Sequence, residues 1–310
     1  MNGLGKESAR VQTIDERHAS QRLDNYLVSL LKGVPKSHIH RIVRSGQVRI
    51  NSQRVESSHR LRAGDRVRIP PIRLARPAAK PPPGKASRLP VLFEDEFIVA
   101  IDKPAGAAVH GGSGISFGII EQLRSARPHA KFLELVHRLD KGTSGVLLLA
   151  KKRSALITLH VQLTRQEMTK CYCVLVRGEW PEAKRQVSLP LRKYVSKAGE
   201  RKVAVVAQGK ESRTLFSLRK KWRDLSLLNA ELRTGRTHQI RVQLAHLGHP
   251  IAGDDKYGDF EWNRELAKNG LKRMFLHAES VTFAHPHSGE RMTLTSRLPP
   301  ELDSLLARLD

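Results

Sequence analysis

Between Pro71 and Pro90 the chain carries Pro77, Pro81, Pro82, Pro83 and Gly84 among Ala, Lys and Arg. Each proline fixes φ and removes a backbone donor, so the stretch is poorly suited to a helix or to a sheet ladder. It is expected to act as a semi-rigid linker over residues 71–90. A break of that kind divides the 310 residues into a short N-terminal part and a long C-terminal one. The length suits one large domain plus a small one.

The charge is divided in the same way. The formal net charge is +25, from 55 Lys and Arg against 30 Asp and Glu, with a pI near 10.7. Residues 1–90 hold 19 basic and 6 acidic side chains, a net of +13, and the remaining 220 hold 36 and 24, a net of +12. Such a surplus favours a polyanionic partner, and its concentration near the N-terminus points to a dedicated basic module there. A membrane partner is not expected, because no run of about 18 apolar residues exists. The first residues carry Glu7, Asp15 and Glu16 and no apolar core, unlike a signal peptide. Cys171 and Cys173 sit two apart on an expected strand, badly placed for a disulfide, so a reduced, cytoplasmic protein is expected.

Residues 1–17 are polar and aperiodic and are expected to be a flexible tail. Over 18–70, Leu23, Tyr26, Leu27, Leu30 and Leu31 recur at helical spacing. Pro35-Lys36-Ser37 reads as a stop and a new N-cap, Ile39, Ile42 and Val43 mark a second helix, and Ser45-Gly46 closes it. Val48, Ile50, Val55, Leu61, Val67 and Ile69 then read as short strands with turns at Asn51-Ser52 and Ala63-Gly64-Asp65. This pattern resembles the alpha-L RNA-binding motif of a ribosomal small-subunit protein. The resemblance implies RNA contacts from Lys36, His40, Arg41 and Arg44 on the second helix and from Arg49 and Arg54 after it, a reading that phosphate electrostatics supports.

Residues 91–310 are expected to form a larger mixed domain. Phe97 to Ile101 reads as a buried strand, a helix carries Leu156, Ile157, Leu159 and Leu163 behind a Ser154 cap, and several β-rich segments fill 172–232. A last clear helix is expected from Thr237 to Leu247, ending at Gly248-His249-Pro250. Within this domain His137-Arg138-Leu139-Asp140-Lys141-Gly142-Thr143-Ser144-Gly145 leads into the apolar run Val146 to Ala150. Asp140 therefore lies on a loop between core segments, where a rigid scaffold often presents a catalytic side chain; an Asp merely bonding its own turn is the plainer explanation.

These nine residues resemble the signature of the RNA pseudouridine synthases of the RluA type. Asp102-Lys103-Pro104-Ala105-Gly106, Lys170-Cys171-Tyr172, Thr234 to Arg241, Gly253-Asp254 and Leu276-His277-Ala278 are similar to further motifs of that family, in the same order. The resemblance covers about Leu92 to Pro299. It implies an α+β protein: a small alpha-L RNA-binding domain, then a mixed, largely antiparallel-sheet catalytic domain. It further implies isomerisation of uridines in 23S ribosomal RNA, without cofactor or metal, with Asp140 as the catalytic residue, Tyr172 as active-site tyrosine and Arg241 paired with Asp140. A monomer is expected.

The residue types suit that chemistry. A carboxylate can attack the anomeric carbon or the uracil ring, or can stabilise or deprotonate the sugar, and the sequence does not choose. Arg241 would favour the ionised carboxylate; a purely structural ion pair is the alternative. Tyr172 could stack on the base, assist removal of the carbon-five proton, or simply belong to the core. Arg138 could fill the gap left by a flipped nucleotide, whose unstacking costs roughly a few kcal/mol, or form a surface salt bridge. Arg236 is a further candidate RNA contact. His238, His246/His249 and His285/His287 lack a recognised zinc-ligand set, and His110-Gly111-Gly112-Ser113-Gly114 lacks the Lys-Ser/Thr of a nucleotide-phosphate loop. Two other functions fit less well: modification of transfer RNA or another site, and a non-catalytic assembly factor.

Overall fold

The computed structural model describes residues 9–31, 34, 36–72, 89–111, 117–196 and 199–309, with backbone alone at Arg17, Lys36 and Ser37. Residues 1–8 of the expected tail, Pro35, most of the Pro-rich stretch and Gly112-Ser113-Gly114 lie outside them. The chain divides into two compact units, Met1–Pro83 and Gly84–Asp310.

The first unit contains β1 (Arg10–Thr13), α1 (Leu23–Leu30), α2 (Lys36–Arg44), β2 (Arg49–Ile50) and β3 (Arg66–Ile69). Its antiparallel sheet has the order β1-β3-β2. Leu23, Tyr26 and Leu27 of α1 pack on Ile39, Ile42 and Val43 of α2 and on Val48, Leu61 and Val67. Two expectations need correction. Residues 10–13, placed in a flexible tail, form an edge strand whose backbone pairs with β3, and Ile14 behind it is buried. Val48, Val55 and Leu61 lie outside strands. Leu61 is buried, but its N–H and C=O bond Gln21 and Ser20 near the start of α1, so no ladder forms. At the end of α2, Gly46 has φ +71°, and a Cβ there would lie 2.3 Å from Arg54 Nε. Glycine serves the left-handed turn, while the exposed Arg54 side chain is free to move aside.

The second unit comprises β4 (Val91–Glu94), β5 (Ile98–Lys103), α3 (Ile119–Ala126), β6 (Glu134–Leu135), β7 (Ser144–Ala150), α4 (Arg153–Thr164), β8 (Thr169–Arg177), β9 (Lys184–Val195), β10 (Arg201–Val205), β11 (Lys210–Trp222) and β12 (Leu225–Leu232). α5 (Gln239–His246), α6 (Phe260–Lys268), β13 (Leu276–Ala284), β14 (Arg291–Thr295) and α7 (Pro300–Leu309) complete it. One sheet runs β10-β9-β11-β12-β8-β13-β7-β5-β4, with β14 on β13 and β6 on β7. Among these pairings only β7 with β13 is parallel, so the sheet is largely antiparallel, as expected.

The unbroken apolar run of β7 follows from burial on both faces. Leu147 and Leu149 enter one core with Val99 and Ile101, while Val146, Leu148 and Ala150 enter the other, under Leu159 of α4. β8 divides in the same way, with Tyr172, Val174 and Val176 facing the first core and Cys173 and Leu175 facing away. Both cysteines are free thiols. Two helix starts differ from expectation. α4 begins after Lys152 with no side-chain cap, so Ser154 is already inside it. α5 begins at Gln239, because His238 takes a left-handed conformation (φ 53°, ψ 24°) that a helix cannot continue through.

Candidate active site

Asp140 lies in the loop between β6 and β7, and buried polar groups hold that loop on both sides. The Thr143 N–H donates to the Asp140 carbonyl (3.1 Å), closing a turn. The Lys141 carbonyl accepts from Gly106 N–H (2.8 Å) and from Lys103 Nζ (3.2 Å). Lys103 is fully buried and also donates to the carbonyls of Pro104 (2.9 Å) and Ala107 (2.7 Å). Burial pushes its amine down to about 7; Arg273 adds to this and Asp140 opposes it. Beyond the loop, Ser144 pairs with His277 across the parallel β7–β13 junction, and Ser144 Oγ accepts from Arg273 Nη2 (2.7 Å). Gly145 follows with φ +109°, where a Cβ would lie 2.1 Å from the Ala278 carbonyl. Only glycine permits that contact.

Arg241 on α5 donates through Nη1 to Asp140 Oδ2 (3.2 Å). Its Nε and Nη2 form a bidentate pair with Asp254 (both 2.7 Å), and Nη2 also reaches Asp255 (3.3 Å). Asp254 is wholly buried and accepts the N–H groups of Lys256 and Tyr257. Burial works against its charge, but Arg241 and these donors outweigh it and hold the carboxyl below the usual range. On the other side of Asp140, His238 Nε2 lies 3.9 Å from Oδ1. The expected Arg241–Asp140 pair is thus present, as one arm of a larger cluster.

Two cavities share Arg138, Leu139, Asp140, His238 and Arg241. The first, about 600 Å³, has Tyr172, Ile240 and Leu276 in its wall together with Lys170. The second, about 640 Å³, is lined by the cations Lys141, Arg201, Lys256, Lys272 and Arg273. Tyr172 is 6% exposed. Burial, and then Asp140, push its phenol up, so it keeps its proton at neutral pH. An apolar wall with a ring suits a planar base, and the cationic cleft suits phosphates.

Arg138 is exposed at the shared edge. Arg236 lines the first cavity, donates to the Glu211 carbonyl (3.1 Å), and borders a groove with Arg192, Lys193 and Lys210. In the first unit Arg41, Arg44, Arg49 and Arg54 are exposed, whereas His40 is partly covered, 4.0 Å from Asp24. The Lys36 side chain lies outside the described residues. Arg66 and Arg68, not singled out from the sequence, line a shallow groove with Arg49. Of the histidines, His249 bonds the Arg177 carbonyl, His285 bonds Asp95, and His287 stacks on Phe97. Among the described residues no three His, Cys, Asp or Glu converge as a metal site. Sequence reading also gave no role to Lys103, Asp254 or Tyr257; only the short Gly253-Asp254 motif marked that loop.

Comparison with known proteins places these features. Residues 97–246 match the family described as RNA pseudouridylate synthase, and residues 21–67 match the S4 domain. The chain is 48% identical over 308 residues to ribosomal large subunit pseudouridine synthase C of Pasteurella multocida, covering 98% of this chain and 94% of that protein. The protein of the same name from Escherichia coli K12 is 49% identical over 309 residues, 97% of each chain. Among solved structures, human RNA pseudouridylate synthase domain containing 1 superposes with a TM-score of 0.59 at 25% identity, over 72% of this chain and 90% of its own. Human RNA pseudouridylate synthase domain containing 4 shares the fold with the same TM-score at 24% identity, over 72% and 95%. With relatives near half identity along almost its whole length, the chain belongs to the RluA-type family of RNA pseudouridine synthases.

Proposed function

We propose that this enzyme converts specific uridines of 23S ribosomal RNA in the large subunit to pseudouridine. The reading is carried by the Arg241–Asp140 contact beside a cavity that has Tyr172, Ile240 and Leu276 in its wall, and the names of the similar bacterial proteins supply the RNA. Uracil leaves the anomeric carbon, turns, and rejoins through carbon five, which gives up its proton while N1 gains one. Atoms and oxidation state balance, so the reaction needs no redox partner. Asp140 is the catalytic carboxylate, and Arg241 neutralises and orients it. Tyr172, a protonated phenol, stacks on the base and offers its O–H. Arg138 takes the space of the flipped nucleotide and contacts phosphate.

The first unit up to residue 70, with β1 and Ile14 included, acts as the alpha-L RNA-binding domain, residues 71–90 as a linker, and residues 91–310 as the catalytic domain. Lys36, His40, Arg41, Arg44, Arg49 and Arg54 contact RNA from the first unit, and Arg236 does so from the second. The enzyme works as a monomer in the cytoplasm. Mapping pseudouridines in RNA from cells lacking the protein, then restoring wild type or Asp140→Asn, tests this. Specific 23S positions should be lost and regained only with wild type. Loss from transfer RNA instead would refute the ribosomal assignment, and restoration by Asp140→Asn would refute the catalytic one.

A further inference from the structure

Arg241 engages only one oxygen of Asp140, and the other faces a histidine held in an unusual way. His238 stands at the start of α5 in the left-handed conformation, which a non-glycine residue adopts only at a cost in strain. Its side chain is 18% exposed, and Nε2 is 3.9 Å from Asp140 Oδ1. That is one small movement beyond a hydrogen bond. On the far side of the ring, Nδ1 lies 2.8 Å from Tyr257 Oη.

Which ring nitrogen carries the proton depends on the direction of the Tyr257–His238 bond. Tyr257 Oη accepts the Val203 N–H (2.9 Å), which leaves its own hydrogen free to point at His238 Nδ1. Burial pushes this phenol up to about 12, so it holds that hydrogen across the neutral range. A neutral imidazole that accepts at Nδ1 must carry its proton on Nε2. Burial lowers the pKa of His238; Asp140 opposes this, while Arg241 and Lys256 reinforce it, and Asp254 acts with Asp140. The result is a neutral ring with an N–H turned to the free oxygen of the carboxylate.

We propose that His238 is a positioning residue for Asp140: its Nε2–H closes onto Oδ1 when RNA fills the site, while Arg241 holds Oδ2, and Tyr257 locks the tautomer. The two donors fix the plane of the carboxylate, so that one orientation meets the flipped nucleotide. Both are set by one short loop, since Asp254 orients Arg241 and Tyr257 orients His238. This inference rests on Asp140 being the reactive carboxylate.

The test uses the full-length enzyme and ribosomal RNA purified from cells lacking it, with Asp140→Asn as a control. His238→Leu should lower kcat roughly 10- to 100-fold, the range for losing a hydrogen bond to a charged group, with KM within about twofold of wild type. His238→Gln, whose amide reaches the Nε2 position, should recover most of the loss. Tyr257→Phe should lower kcat less, about three- to tenfold, by freeing the tautomer. Nitrogen NMR of the His238 ring should show the Nε2–H form in wild type and a mixture in Tyr257→Phe, a readout independent of whether His238→Leu folds. Equal activity of the Leu and Gln variants, a change confined to KM, or an Nδ1–H ring in wild type would each overturn the proposal. Turnover by Asp140→Asn would instead overturn the reading beneath it.

Discussion

Arg241 grips Asp254 more fully than it grips Asp140: two bonds of 2.7 Å run to Asp254 and one of 3.2 Å to Asp140. Asp254 is wholly buried, whereas the Asp140 side chain is 26% exposed. The arginine is therefore as much a part of the core as of the site. Its fork fits the buried carboxylate, and the remaining nitrogen extends to the exposed one.

Arg241→Met should accordingly cost stability as well as activity, because Asp254 loses its counterion in a dry environment. Removing one partner of a buried pair costs about 3–5 kcal/mol. In wild type the Asp254 carboxyl lies below its ordinary range. Its contribution is thus complete above the unfolded value of about 4 and is lost as pH falls through the folded one. The variant lacks that contribution, so the stability gap should stay full from neutral pH down to about 4 and narrow only below it, as Asp254 takes up its proton. Urea unfolding of both proteins at several pH values measures this; a gap independent of pH would be inconsistent with the assignment.

Arg138 has no such second duty. It is exposed at the edge shared by the two cavities. Arg138→Met should leave unfolding within about 0.5 kcal/mol of wild type. Its turnover should fall more on a structured RNA than on a flexible single strand, which needs little unstacking. Equal losses on both RNAs would remove the proposed role in base flipping.

The first compact unit carries a large share of the positive charge, including Arg49, Arg66 and Arg68 around one groove. Deleting residues 1–83 should weaken binding to ribosomal RNA and flatten its dependence on salt, since fewer counterions are released. Isomerisation of a short fragment should persist, because Asp140, Tyr172 and Arg241 all lie in the second unit. Binding titrations between 50 and 200 mM salt decide the matter; an unchanged slope would contradict the role given to this unit.

Asp140, Tyr172 and Arg241 were legible because each sits inside a short local motif, although it was the family resemblance that joined Arg241 to a residue 101 positions away. The two-faced burial of β7 was legible from its continuous apolar run. β1 was not, since all four of its residues are exposed and its pairing is made by backbone alone. Arg66 and Arg68 alternate with buried Val67 and Ile69, so the period was readable while the groove they form with Arg49 was not. The His238–Tyr257 link also escaped the sequence. It depends on the Val203 N–H, 54 residues from Tyr257, and on a backbone angle that no composition marks.

Lys103 offers a test of how the Asp140 loop is anchored. An ammonium has three N–H groups, and Lys103 directs all three to carbonyls, one of them on Lys141 beside Asp140. Lys103→Met would leave the Pro104 and Ala107 carbonyls without this donor and the Lys141 carbonyl with the Gly106 N–H alone, at up to about 1–3 kcal/mol for each one that finds no other. Activity should fall with stability, because the Asp140 loop loses its tie to the segment after β5. The pH dependence has a definite sign. Burial pushes the folded amine down to about 7, from an ordinary value of 10.5. Between those limits the folded chain holds a neutral amine, with two N–H groups for its three carbonyls, while the unfolded chain binds the extra proton, so the contribution of Lys103 to stability rises with pH, by at most about 1.4 kcal/mol per unit. The stability difference between wild type and Lys103→Met should therefore shift in favour of wild type from pH 7 to pH 10. Urea unfolding of the two proteins at pH 7, 8.5 and 10 measures that shift. A difference that stays flat or falls would mean the buried amine keeps its proton throughout, held by its three carbonyls against the pull of burial.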